Sequence, residues 1–187
     1  DGGYRISARK VFSSGAPTGD LLMTCAVVES EGEPPTVLHF GVPMKSPQVR
    51  ILDTWRTLGM RGTGSHDVLI DGHVVPDAAI AGRRVAGEWH PLFHIISTIA
   101  FPLVYSVYVG VAESARDHAV AEVKKKGPNS FSTLAVGELD TELLVAQLAL
   151  ARMVDLVETA EPGPETTNMG ARCRTLAGES AVRAVDK

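Results

Sequence analysis

Asp53–Asp71, DTWRTLGMRGTGSHDVLID, is the stretch on which the reading of this chain turns. It passes Trp55, crosses Gly59-Met60-Arg61-Gly62-Thr63-Gly64-Ser65 and leaves as a short apolar strand. Three glycines within six residues permit backbone conformations that a Cβ makes costly. Thr63, Ser65 and His66 set hydrogen-bonding groups among them. The Gly-x-x-x-x-Gly-Lys spacing of a phosphate loop is absent, and a strand rather than a helix follows. On composition alone, Gly-Thr-Gly-Ser in such a place is a tight connection between strands.

Upstream of it the pattern is that of short strands. Tyr4-Arg5-Ile6-Ser7-Ala8-Arg9 alternates apolar and polar, as a half-buried strand does. Phe12–Pro17 breaks the alternation with turn formers. Leu21–Val28 is nearly continuous in strand formers and is expected to be a central strand covered on both faces. Thr36–Val42 and Gln48–Leu52 read as further strands. Downstream, Val68–Ile70 and His73–Val75 flank Asp71-Gly72, the two-residue signal of a hairpin. Strands are expected only before about Ala79, as a small antiparallel barrel or sandwich.

From about Pro91 the apolar period becomes helical, through Leu92, Ile95, Ile96, Ile99, Leu103, Val107 and Val111. Pro102 is expected to kink this run or to begin a new helix. Lys124-Lys125-Lys126 and Gly127-Pro128 mark its end. Gly110, Ala112, Ser114 and Ala115 form a small-residue face. Leu139, Leu143, Ala146, Leu150, Met153 and Val157 alternate steps of four and three, the seam of an antiparallel bundle. Met169, Cys173, Leu176, Ser180 and Ala184 predict a third helix. The fold class expected is α+β: an antiparallel β-barrel or sandwich domain over 1–85, then an α-helical domain of four-helix-bundle type over 86–187. More apolar helix surface remains than three helices cover, which predicts a homo-oligomer through the helical part.

Composition bounds the rest. At 187 residues, 44% hydrophobic and 21% charged with a net charge of −4, the chain is globular and shows no footprint of nucleic-acid binding. The run Ile95–Val111 is interrupted by Pro102 and Gly110, so no membrane span is expected. Cys25 and Cys173 read as buried thiols of a reducing, cytoplasmic protein. No His/Cys cluster has metal spacing and no Ser-His-Asp set stands out. The chain opens on Asp1-Gly2-Gly3 and closes at Lys187 within a helical pattern, which predicts a piece of a longer protein whose β and helical domains are each incomplete.

The succession Phe12-Ser13-Ser14-Gly15-Ala16 with Asp20-Leu21, then Leu58-Gly59-Met60-Arg61, then Val75-Pro76, then long helices, resembles the acyl-CoA dehydrogenase superfamily. The first segment is similar to that family's Trp/Phe-Ile-Thr-Asn-Gly-Ala…Ala-Asp-Leu, with Val11 standing where the family has an aromatic residue. The wording Asp53-Thr54-Trp55…Gly62-Thr63-Gly64-Ser65-His66-Asp67-Val68 is closer to the flavin-dependent monooxygenases of the same fold, such as the 4-hydroxyphenylacetate hydroxylase oxygenase component and dibenzothiophene monooxygenase. The resemblance implies an oxidoreductase that binds FAD, or alternatively FMN or reduced flavin from a partner reductase, and that forms homotetramers through the helical bundle. Its main implication is oxidation of an acyl-CoA CH–CH group. The alternative is a reduced-flavin monooxygenase, and a further alternative is a scaffold that binds no flavin.

Residue by residue, the resemblance puts Phe12, Ser13, Ser14 and Gly15 against the flavin, with Ser13 or Ser14 donating to it and Gly15 allowing close approach. The plain alternative is that both hydroxyls close a turn. Trp55 walls the ring or packs under the strands. Arg61 is an anion or flavin partner, or half of a salt bridge. His66 is an acid–base group or points outward on an alternating strand. The resemblance names no catalytic residue. Glu88 and Glu113 sit in no motif of the dehydrogenases' base, whereas a monooxygenase needs only a dry pocket and a donor.

Overall fold

The computed structural model describes residues 2–186. The chain divides into two compact units, Asp1–Glu88 and Trp89–Lys187. The described residues of the first unit hold six strands: β1 (Gly3–Lys10), β2 (Leu21–Val28), β3 (Thr36–Pro43), β4 (Val49–Leu52), β5 (Asp67–Pro76) and β6 (Ile80–Val85). They form two antiparallel sheets, ordered β1-β5-β4 and β2-β3-β6. Inward residues of both sheets make one core: Ile6, Val68, Ile70 and Val75 from the first, Leu38, Phe40 and Val42 from the second. Burying each large apolar side chain there is worth about 1.5–3 kcal/mol. Arg83 of β6 also crosses to Tyr4 of β1, donating to its Oη at 2.9 Å and to Asp77 Oδ1 at 2.7 Å. The hydrogen bond to Tyr4, then the field of Tyr4 and Asp77, raise the Arg83 pKa above its ordinary value.

Three expectations for this unit are corrected. Leu21–Val28 is an edge strand, paired only with β3, and leaves Leu21, Met23 and Val27 exposed. Its apolar run reflects half-burial, and length of apolar run alone does not separate an edge from a centre. Asp71-Gly72 is no hairpin. β5 runs straight through it, and the register passes from Ile6↔His73 to Ala8↔Ile70, so Asp71 and Gly72 face the single residue Ser7. This is a β-bulge. Gly72 takes φ +68° and its N–H donates to Ser7 Oγ at 2.9 Å. A bulge and a tight turn ask for the same positive φ, so the dipeptide signals both. The third correction is β6, which extends the strands past Ala79 and pairs with β3.

The second unit holds α1 (Leu92–Lys126), α2 (Ser130–Thr159) and α3 (Pro164–Val185). Pro102 does not break α1. It is buried inside one 35-residue helix. In the turn before it Ser97 Oγ donates to Phe93 O at 2.6 Å and Thr98 Oγ1 to His94 O at 2.7 Å. As one helix that Pro102 and Gly110 do not interrupt, α1 is long and apolar enough to cross a membrane by length and composition, with a mean hydropathy of 1.9 over its most apolar window. Its row Leu92, Ile95, Ile96, Ile99, Leu103, Val107 and Val111 is exposed. α2 opens on a capping box, with Ser132 N–H on Asn129 Oδ1 at 3.0 Å and Asn129 N–H on Ser132 Oγ at 3.1 Å. Its buried stripe is Leu139, Leu143, Ala146, Ala149, Met153 and Leu156. A straight helix drifts about 20° per heptad, so Leu156 rather than Val157 faces inward at the far end. α3 packs through Gly170, Cys173, Ala177, Ser180, Ala181 and Ala184, so the neighbouring helices approach closely. Of the small face expected on α1, only Ala112 is buried.

Burial pushes the Cys173 thiol above its ordinary pKa, against a smaller pull from Arg152 and Arg172. The folded protein therefore keeps a proton that the unfolded chain releases above about pH 8.5, and stability of the helical unit falls as pH rises past that point. Iodoacetamide at pH 8 is expected to label Cys173 only after denaturation. Phe40 is fully buried, and Phe40→Ala should cost about 3–5 kcal/mol, read as a lowered urea midpoint.

Candidate functional site

Two loops of the first unit meet: 11–20, between β1 and β2, and 53–66, between β4 and β5. Ser13 N–H donates to His66 O at 3.1 Å and Gly15 N–H to Thr63 O at 2.8 Å. A line of hydroxyls runs beside these bonds. Ser14 Oγ lies 2.9 Å from Ser65 Oγ, Ser65 Oγ 2.7 Å from Thr63 Oγ1, and Thr63 Oγ1 donates to Met60 O at 2.9 Å. Each hydroxyl has one proton to give. Thr63 spends its proton on Met60, so Ser65 donates to Thr63 and Ser14 donates to Ser65. Ser14, which is exposed, therefore turns an acceptor oxygen outward.

Phe12 takes φ +52° and stays 71% exposed. Its ring meets Trp55 edge to face, with centroids 6.0 Å apart and planes at 87°. Trp55 is fixed from two sides. Its Nε1–H donates to Met60 O at 3.2 Å and its backbone N–H to His66 Nδ1 at 3.2 Å. Met60 also takes φ +52°, and Phe12 and Met60 are the two non-glycine residues with positive φ among the described residues. Left-handed backbone costs about 1–2 kcal/mol for a residue with a Cβ. Such strain gathers where a surface must hold one shape for a ligand.

Of the residues expected at a site, Phe12, Ser13, Ser14, Gly15 and Trp55 come together and Arg61 does not join them. Arg61 Nη1 donates to Leu58 O at 2.8 Å, and Arg61 forms no ion pair among the described residues. Ser13 is buried, with its hydroxyl directed to Lys10 O at 3.4 Å. Sequence reasoning passed over Arg9 and Asp67. Arg9 Nε donates to the buried Asp67 Oδ2 at 2.7 Å, and Asp67 N–H donates to Thr54 Oγ1 at 2.9 Å. This pairing fixes the exit of the second loop. It joins positions 58 residues apart, and no local pattern marks it.

Beside the junction lies an open cleft of about 700 Å³ between Arg9–Ser14 and Leu21–Cys25. Val11, Phe12, Leu21 and Met23 expose apolar surface there, while Lys10 Nζ donates to Cys25 O at 2.6 Å. An apolar wall with one exposed oxygen suits a planar heteroaromatic group. The helical unit offers a charged cleft of about 380 Å³ lined by Glu113, Arg116, Asp117 and Asp140. Hydrogen bonds that Arg116 donates to Asp117 and Asp140 raise its pKa, and Glu113 accepts from Gln147 Nε2 at 2.7 Å, so these charges satisfy one another. No group of three His, Cys, Asp or Glu residues among the described residues could hold a metal ion.

The chain is similar to the pigment production hydroxylase of Rhodococcus sp. (strain ATCC 21145), at 33% identity over 86% of this chain and 42% of that protein. YdbM of Bacillus subtilis (strain 168), provisionally named an acyl-CoA dehydrogenase, is 26% identical over all of this chain and 49% of its own length. The crystal structure of a nitrososynthase from Micromonospora carbonacea var. africana superposes with a TM-score of 0.85 at 26% identity, covering 99% of this chain and 49% of that one. Its homologues and structural neighbours fall in the acyl-CoA dehydrogenase-like fold superfamily. A second superfamily structure, KijD3 in complex with FMN and dTDP-3-amino-2,3,6-trideoxy-4-keto-3-methyl-D-glucose, superposes with a TM-score of 0.79 at 27% identity, over 98% of this chain and 47% of that one. The chain thus spans about half the length of the superfamily proteins it matches. No family model matches it.

Ser65 is buried in the middle of the hydroxyl line. Ser65→Ala strands the hydroxyls on either side and should cost about 1–3 kcal/mol, measured by urea unfolding of the first unit.

Proposed function

We propose that the chain supplies the flavin-facing β unit and a helical unit of a reduced-flavin-dependent monooxygenase acting on a small molecule. The observation that carries this is the Phe12–Trp55 wall beside the outward oxygen of Ser14, in a chain whose relatives are named as a hydroxylase and a nitrososynthase. Those names favour oxygenation over the oxidation of an acyl-CoA CH–CH group, which the sequence resemblance placed first. Glu113, one of the two carboxylates weighed above as a base, is engaged by Gln147, and this too weighs against the dehydrogenase reading.

The flavin, FMN or alternatively FAD, would supply activation of oxygen when bound in its reduced form. Phe12 and Trp55 would give its ring an apolar face. Ser14 Oγ fits as an acceptor, since a reduced flavin carries an N–H at N5 that the oxidised ring lacks, whereas the resemblance had Ser13 or Ser14 as donor. The buried Ser13 holds the loop rather than the ring. The apolar rim of Val11, Leu21 and Met23 would help keep water from the reacting face. A flavin reductase is the implied partner.

We read the finer architecture in the same way: two sheets of a small barrel, and three helices of a four-helix-type bundle in a cytoplasmic homotetramer. The exposed apolar row of α1 supports assembly through that helix rather than a membrane span, because Glu113, Arg116 and Asp117 follow on the same helix.

In an enzyme of the relatives' length, reduced FMN plus oxygen should support product formation, and an acyl-CoA with an electron acceptor should not; the reverse result would reinstate the dehydrogenase. Ser14→Ala should weaken binding of reduced FMN several-fold and change oxidised FMN little, by anaerobic titration. Light scattering at micromolar concentration should show an oligomer, and a strict monomer would remove the role given to α1.

A further inference from the structure

The junction spends almost every donor that the sequence offered to a ligand. Ser13 N–H goes to His66 O, Ser14 N–H to Phe12 O at 3.0 Å and Gly15 N–H to Thr63 O. The Ser13 hydroxyl goes to Lys10 O and the Ser14 hydroxyl into the hydroxyl line. A flavin ring nevertheless presents carbonyl oxygens, and a buried acceptor left without a donor costs about 1–3 kcal/mol. A donor must come from elsewhere.

His66 has one. Its Nδ1 receives two backbone N–H groups, from Thr54 at 3.1 Å and Trp55 at 3.2 Å. A backbone N–H only donates, so Nδ1 carries no proton and the neutral ring bears its hydrogen on Nε2. Among the described residues Nε2 has no hydrogen-bond partner. The side chain is 19% exposed, so the ring is held and little solvated. The nearest carboxylate, Asp53 Oδ1, stands 3.9 Å from Nδ1, beyond hydrogen-bond reach, and Asp53 is paired with Arg56 at 2.5 Å. The same residue receives the Ser13 N–H on its carbonyl, so His66 is bonded to Trp55 and to the residue that follows Phe12.

We propose that His66 is a ligand-binding residue of this site, its Nε2–H being the fixed donor to an acceptor atom of the flavin ring. This rests on the flavin reading above and adds to it the group that supplies the missing proton. The tethered Nδ1 fixes which nitrogen carries that proton and holds the ring in place. Binding through a locked imidazole avoids the rotamer entropy that a free serine or lysine would lose.

His66→Asn separates tether from donor, because the asparagine oxygen takes the place of Nδ1 while nothing replaces Nε2–H. In a Trp89→Phe background Trp55 is the sole tryptophan and its emission reports the tether. The chain is titrated with FMN by equilibrium dialysis. The expected result is unchanged Trp55 emission with FMN affinity lowered roughly three- to tenfold, as one hydrogen bond predicts. An Asn variant that binds FMN as tightly as the parent overturns the donor and leaves His66 a tether only. A parent that binds no FMN, in this chain and in an enzyme of the relatives' length alike, overturns the flavin reading itself. Nitrogen NMR of the parent provides an independent check. The ring should show the Nε2–H tautomer, with that proton shifting downfield on FMN addition. An Nδ1–H tautomer, or an Nε2–H that FMN leaves unmoved, also overturns the proposal.

Discussion

Two backbone hydrogen bonds, Ser13 N–H to His66 O and Gly15 N–H to Thr63 O, hold the candidate site together. They join loops about 50 residues apart in sequence, and such closure costs chain entropy that grows only slowly with length. The cost is met by the shared core beneath, where β1 and β5 lie side by side and Ile6, Val68 and Ile70 are buried together. With the strands fixed, the loops have little freedom left. The hydroxyl line, the Trp55 indole and the His66 imidazole then add bonds between groups already brought within reach. Sheet packing thus comes first, loop stitching second, and the exposed aromatic pair follows from both.

Much of the architecture was legible because periodicity survives in the sequence. The alternation of Tyr4–Arg9 gave β1, and the helical spacing from Leu139 gave α2. What failed were signals with two physical sources. Asp71-Gly72 states that positive φ is needed, which a bulge satisfies as well as a turn. The apolar run Leu21–Val28 states strand but not position in the sheet. Pro102 states a missing donor, a loss of one helical bond that α1 tolerates with the ring buried inside it.

The site was legible as a neighbourhood and not as a set of bonds. The resemblance brought Phe12–Gly15 and Trp55 to attention, and they do meet. Hydrogen-bond direction was out of reach, because it depends on which partner has already spent its proton. Thr63 decides the sense of Ser14 from 49 positions away, through Ser65. Arg61 was drawn in by its charge and by adjacency to the glycines, yet its reach is taken by Leu58 O.

Phe12 and Met60, both at φ +52°, have a consequence for anyone who would engineer this protein. A stabilisation protocol that scores each position by local fitness would replace both with glycine or asparagine, and the thermal midpoint would rise. It would also erase the exposed aromatic edge and loosen the carbonyl that anchors the indole. The two least comfortable residues of the β unit are where a gain in stability and the shape of the candidate site pull in opposite directions.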